Sequence, residues 1–319
     1  MAFSPRRLPA HQRGAALLTA MIIVTLIATL AVSMVWQQWR AVQVEAAERA
    51  RTQAEWILSG ALDWAKLILR EDMKTGKATA LTEPWAVPLA EARLSTFLAA
   101  DKDNNTDDGP EAFLSGSITD VQGRYNLNNL FDDTVTSTPN TKDEVPKLER
   151  LCAALGVDSS VPGRIVKGMS EARAGAANAP LEPLRVSQLT WLGIDPASVA
   201  ALEPYVALLP KALSPTLVNI NTAPREVLLA VLNDPGTAEW ILQVRQRTPF
   251  ADLSKVKAQA PALDIAKAKV DVKSNFFEVR GRLRLADRIL EERSLVQRVA
   301  PIPKVLERER ISSRESSGS

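Results

Sequence analysis

From Ala15 to Val35 the chain runs for 21 residues without a charged side chain. At 1.5 Å per residue this stretch makes a helix of about 30 Å, the thickness of a bilayer's hydrocarbon layer. Trp36 and Trp39 follow at once and suit the membrane interface. Beyond them the pattern becomes periodic. Val44, Ala47, Ala54, Ile57, Ala61, Trp64 and Ile68 recur mostly three or four apart, which predicts one apolar stripe on a helix. Neither proline nor glycine interrupts residues 15–59. The expectation is one continuous helix of about 55 residues over 15–70, its first half apolar all round and its second half amphipathic.

The pattern then breaks up. Pro84 and Pro88 interrupt residues 71–88. Ala90–Ala100 reads as a short helix, and 101–110, DKDNNTDDGP, as an acidic loop. Ser115–Tyr125 alternates around Ile118 and Val121, as a strand does. Residues 147–256 are rich in Leu and Ala and carry repeated helix starts. Asp195-Pro196 and Asp234-Pro235 each place an aspartate at a cap position with proline at the first helical position. Asp158-Ser159 is a looser echo. Residues 274–299 return to alternation: Phe277, Val279, Leu283 and Leu285 on one face, Glu278, Arg280, Arg282 and Arg284 on the other. A turn at 286–288 leads to a second strand, 289–299, and Ser312–Ser319 reads as a polar, disordered end. Strand signals thus flank a helical block. The expected fold class is α+β: a long amino-terminal helix leading a pilin-like α/β domain, with an all-helical domain of sterile-alpha-motif or helix-hairpin-helix kind inserted. The divisions are 1–14 (leader), 15–70 (helix), 71–130 (first part of the α/β domain), 131–270 (helical insert), 271–305 (closing strands) and 306–319 (polar tail).

Composition narrows the chemistry. The net charge is +2, and Arg6, Arg7 and Arg13 all precede the apolar run. With these set aside, the remaining charges nearly balance, a poor basis for neutralising nucleic-acid phosphates. The single histidine, His11, lies in the same leader. Without it neither a Ser-His-Asp nor a Cys-His arrangement can form, nor a histidine-ligated zinc site. The lone Cys152, among Leu151, Ala153, Ala154 and Leu155, reads as a buried helical side chain rather than a reactive thiol.

The amino-terminal segment allows three readings: a secretory signal peptide cut after Ala31-Val32-Ser33, a plain anchor, or a prepilin start. Arg13-Gly14 stands directly ahead of Ala15-Ala16-Leu17-Leu18, so the glycine comes before the apolar run, whereas signal peptidase cuts after it. This start resembles the type IV prepilin class. With it go Ser115-Gly116-Ser117-Ile118-Thr119-Asp120-Val121-Gln122-Gly123-Arg124-Tyr125-Asn126-Leu127-Asn128-Asn129-Leu130, Val218-Asn219-Ile220-Asn221-Thr222-Ala223-Pro224 and Asn275-Phe276-Phe277-Glu278-Val279-Arg280. In this order they resemble the K-type minor pseudopilins of type II secretion over nearly the whole chain.

The resemblance implies cleavage by a prepilin peptidase between Gly14 and Ala15 and methylation of the Ala15 amine. It implies an inner-membrane protein with its amino end cytoplasmic and its globular part periplasmic, with no enzymatic activity. It would sit at the tip of a pseudopilus with I- and J-type minor pseudopilins, above an inner-membrane assembly platform, and support export of folded proteins. Thr19 stands where most pilins carry a glutamate thought to pair with a neighbour's terminal amine. An acid in lipid costs roughly 2.5–3.5 kcal/mol on insertion scales, and an end subunit, lacking one neighbour, can omit it, as K-type members typically do.

No cofactor is expected apart from the calcium question. Asp101, Asp103, Asn105 and Asp107 alternate as calcium ligands do, but Thr106 stands where the loop glycine belongs, and a solvated acidic loop is preferred. Calcium has been seen in the family, but those ligands do not transfer to this loop. Two rival functions remain. One is an envelope-anchored helix-hairpin-helix nucleic-acid binder built on 218–256. Its turn, Asn233–Thr237, has one glycine and places Asp234 where phosphate would sit. The other is a membrane-anchored envelope enzyme, with Asn126, Asn128 and Asn129 as the residues to weigh against a turn-forming role.

Overall fold

A long uncharged run followed by an amphipathic one, with no helix breaker, folds as a single helix, α1, His11–Lys74. The computed structural model describes residues 11–94, 112–131, 138–210, 215–285 and 288–314. The chain divides into two units, Met1–Ile57 and Leu58–Ser319. In the first, residues 15–46 are exposed throughout. Its threonine hydroxyls bond within the helix: Thr19, Thr25 and Thr29 all donate to carbonyls three or four residues back. Charged residues begin after the tryptophans, in helical pairs such as Arg51 and Glu55, 3.3 Å apart.

The second unit opens with the last four turns of α1 lying on a five-stranded antiparallel sheet. Its strands are β1 (Leu89–Arg93) and β2 (Ala112–Asp120), then, after the helical block, β7 (Phe276–Leu285), β8 (Arg288–Gln297) and β9 (Lys304–Arg314), in spatial order β1-β2-β7-β8-β9. Leu62, Ala65 and Leu69 of α1 pack with Trp85 on Phe277, Val279 and Val296. One glycine, Gly281, lets the helix come close, and a second, Gly116, fits tightly against the neighbouring strand. Gly116 lies opposite Gly281 in the β2–β7 register. A Cβ on Gly281 would sit 3.1 Å from Leu58 Cδ2, and one on Gly116 2.9 Å from the Arg280 carbonyl oxygen.

Between β2 and β7 the chain builds the helical block. It contains β3 (Tyr125–Asn126), α2 (Val145–Ala154), α3 (Val161–Ala174), α4 (Pro196–Leu202), β4 (Val206–Ala207), β5 (Val218–Asn219), α5 (Arg225–Leu232), α6 (Pro235–Arg247), α7 (Ser254–Gln259), α8 (Ile265–Ala268) and β6 (Val270–Asp271). The Asp-Pro starts work as expected: Asp195 accepts from the Ser198 amide at 2.9 Å, and Asp234 from the Gly236 and Thr237 amides. Leu148, Leu151, Ile165, Met169, Val227 and Ile241 are among the side chains of one core with no exposed surface.

Four expectations need correction. Ala90–Ala100 does not begin as a helix: Leu89–Arg93 is an edge strand, since pairing with β2 overrides the helical leaning of Ala, Leu and Glu. Residues 95–100, like the acidic loop at 101–110, lie outside the described residues. The strand expected over 115–125 ends at Asp120, whose side chain accepts from the Gln122 amide and starts a 3-10 turn. The tail expected from 306 is strand β9 as far as Arg314. Its charges have cross-strand or cross-domain partners: Arg310 with Glu292 at 2.7 Å, and Glu309 with Arg185 at 2.8 Å. Residues 315–319 lie outside the described residues. Finally, Ala54 of the predicted stripe is buried, but from residue 58 onward the buried positions of α1 are Leu58, Leu62, Ala65 and Leu69, one position on from the prediction. Ile57, Ala61 and Ile68 are half-buried and Trp64 is 56% exposed.

Candidate functional site: the stem helix and a polar junction

Gly14 and Ala15 lie in the first two turns of α1, where the backbone is already helical. Ala15 is exposed, and its carbonyl accepts from the Thr19 hydroxyl at 2.9 Å. The same hydroxyl lies 3.0 Å from the Ala16 carbonyl oxygen. The position that most pilins give to an acid is therefore satisfied inside its own helix.

The other motifs converge elsewhere, where the chain crosses between sheet and helical block. Asp120 ends β2 with its carboxylate buried. Its Oδ1 accepts from the Gln122 amide at 2.8 Å. Its Oδ2 accepts from Asn219 Nδ2 at 3.0 Å, Thr222 Oγ1 at 2.6 Å and Ser274 Oγ at 2.6 Å. Four donors favour the carboxylate, yet burial outweighs them and moves its pKa above the ordinary range. The nearby cation is Arg298. It donates to the Ser274 carbonyl at 2.5 Å and to Thr79 Oγ1 at 2.7 Å, and pairs with Asp72 at the end of α1. One hydrogen-bonded hub thus joins α1, both chain crossings, and the Val218–Pro224 segment of the helical block.

Three asparagines build the adjoining wall. Asn126 Oδ1 accepts from the Leu209 amide at 3.1 Å, Asn128 Nδ2 donates to the Leu209 carbonyl at 2.6 Å, and Asn129 exchanges two bonds with the Thr216 backbone, at 2.8 and 2.9 Å. These amides hold Leu209 and Thr216 by hydrogen bonds, in line with the structural role weighed for them above.

A sequence profile of the type II secretion system protein K family matches residues 218–274, the stretch that supplies Asn219, Thr222 and Ser274 to the hub. Protein K of Pseudomonas aeruginosa is 27% identical over 87% of this chain and 86% of its own length. Protein K of Klebsiella pneumoniae is 29% identical over 90% and 93%. The chain is thus similar to type II secretion system protein K over most of its length. The same fold occurs in a solved structure, the GspK-GspI-GspJ complex of enterotoxigenic Escherichia coli. The match has a TM-score of 0.64 and 23% identity, and spans 84% of this chain and 99% of that one.

The family motifs are thus mainly architectural. Asp234 makes the same point about the helix-hairpin-helix turn. Its carboxylate already takes the Gly236 and Thr237 amides, at 3.1 and 3.3 Å, the donors that a phosphate would use. The Thr237 hydroxyl bond helps hold its pKa below the usual carboxylate range.

Sequence reading did not single out Asp120, Thr79 or Arg298, nor a second buried cluster at Glu144. Glu144 has no exposed surface and meets Lys147 Nζ at 2.8 Å, Lys269 Nζ at 3.1 Å and the Tyr125 hydroxyl at 3.0 Å. Cys152, read as buried, is 1% exposed, and burial pushes its thiol up to about 12. We expect no reaction with a thiol-exchange reagent at pH 8 until denaturant is added, since the thiolate is the nucleophile. Prompt labelling of the folded chain would show that Cys152 is accessible.

Proposed function

We propose that this chain acts as a type II secretion system protein K, a minor pseudopilin that sits at the tip of a pseudopilus and assembles there with I- and J-type minor pseudopilins to support export of folded proteins. Residues 15–35 anchor it in the bacterial inner membrane. Arg6, Arg7 and Arg13 keep the amino end cytoplasmic, and the globular part is periplasmic. A prepilin peptidase cuts between Gly14 and Ala15 and methylates Ala15, and the inner-membrane assembly platform lifts the processed stem into the fibre. The role is assembly, not catalysis, and no nucleic acid is bound.

The observation that carries this reading is Thr19 within the uncharged stretch 15–35 of α1. Its hydroxyl is satisfied by Ala15 and Ala16, so it neither needs nor offers a charge to a neighbouring subunit, as suits an end position. The test is to co-produce the full chain with the two other minor pseudopilins, extract the membranes in mild detergent, and isolate the chain by an affinity tag. The expected product is a complex holding one copy of each. Recovery of the chain alone, or distributed along fibres of the major subunit, contradicts the tip reading.

A further inference from the structure

The five-stranded sheet has two faces, and α1 packs on one of them through Phe277, Val279 and Val296. By the alternation of strands, Glu278, Arg280, Arg293, Glu307 and Glu309 point the other way, towards the helical block. An apolar cluster of Val121, Ala207, Leu209, Phe276 and Leu295 joins block and sheet beside the Asp120 hub. Both chain crossings, 120–126 and 271–276, lie at that same end. Away from it, block and sheet face each other across a cleft of about 320 Å³. Charges span this cleft. Arg185 of the block reaches two glutamates of the edge strand β9: its Nε donates to Glu307, and its Nη1 donates to Glu309 at 2.8 Å. Arg293 of β8 lies 3.9 Å from Glu203, just past α4.

Three features make this a fastening that can open. First, Glu307 and Glu309 stand two apart on one face of a strand and repel each other, and the planar fork of an arginine answers both at once. Arg293 lies opposite Glu309 in the register but is engaged by Glu291 at 2.9 Å. The cation bonded to the pair therefore comes from the block, and the attraction lasts only while the block stays against β9. Second, the three side chains are 36–37% exposed, so water and salt reach them. Such pairs are weak and are screened by salt, unlike the buried bonds of the hub. Third, fastening and pivot are separate. Loss of the Arg185 pairs leaves the hub, the apolar cluster and both crossings in place.

We propose that Arg185, Glu307 and Glu309 form an ionic clamp that holds the helical block against the edge of the sheet, and that its release lets the block swing about the Asp120 hub without unfolding.

The test places spin labels at Ser187→Cys in the block and Arg288→Cys at the start of β8, in the full chain in detergent. Both native side chains are exposed, and Cys152 is buried. Pulsed dipolar spectroscopy at about 0.1 M salt should give one narrow distance distribution. Arg185→Glu turns the attraction into repulsion and should move at least half of the population to longer distances, with the cooperative melting transition retained. Arg185→Lys keeps the charge and should keep most of the short population. With Arg185 in place, about 1 M salt cuts the screening length from about 10 Å to about 3 Å and should lengthen the distance in the same way, an arm that depends on no variant at the clamp. A distribution already broad at low salt, failure of either Arg185→Glu or salt to lengthen the distance, or loss of the fold in Arg185→Glu would each overturn the inference.

Discussion

Asp120→Ala should lower the melting temperature of the detergent-solubilised chain by on the order of 10 °C, a loss of roughly 3 kcal/mol or more. The Gln122 amide, the Asn219 amide and the Thr222 and Ser274 hydroxyls all donate to this one buried carboxylate. Truncation strands them where water does not compensate. Asp120→Asn should cost about half as much, because hydroxyls can turn and accept from the new amide while Asn219 cannot. The pH dependence has a definite sign. Burial raises the native pKa above the unfolded value, so the native state binds the proton more tightly. The stability contributed by Asp120 is full below the ordinary carboxylate range and declines as pH rises through the raised pKa. The gap between wild type and Asp120→Ala should therefore widen on acidification from pH 7. A gap that narrows, or an alanine variant as stable as wild type, would refute the hub.

Glu144→Gln removes the buried carboxylate shared by Lys147 and Lys269. Lys147 is 3% exposed and also donates to the Lys267 carbonyl at 2.7 Å, while burial moves its pKa below the ordinary lysine value. Breaking one side of a buried ion group costs roughly 3–5 kcal/mol, because the opposite charge stays behind. The same change replaces the charged acceptor of the Tyr125 hydroxyl, whose pKa burial and Glu144 hold well above its usual value, by at best a neutral amide oxygen. Denaturant unfolding should show the loss, and Glu144→Gln/Lys147→Met should recover part of it, with a coupling of about 0.5–3 kcal/mol. Strict additivity of the two changes would mean that the groups act independently.

Local signals were legible in the sequence. The uncharged run and the absence of Pro and Gly from residues 15–59 marked most of α1. Asp195-Pro196 and Asp234-Pro235 marked two helix starts, and the alternation of Phe277, Val279 and Leu283 marked β7. What stayed hidden depends on distance along the chain. Asp120 meets Ser274 154 residues away, and Arg298 meets Asp72 across 226. No periodicity records such pairs. Strand β9 looked like a solvated tail because its arginines and glutamates resemble a free surface until Glu292 and Arg185 are placed beside them. From residue 58 onward the buried face of α1 was misplaced by one position because Trp64 and Ile68, the larger apolar residues, face a surface groove rather than the sheet.

Everything proposed about assembly presumes that the apolar stem stays attached after processing. Mass spectrometry of the mature amino terminus, on chain extracted from membranes that contain the prepilin peptidase, addresses this. The chain should begin at a methylated Ala15, and Gly14→Ala should leave residues 1–14 in place. A chain beginning at Met34 and free in solution would mean that the stem is shed as a signal peptide, and a chain that keeps its leader beside active peptidase would mean a plain anchor.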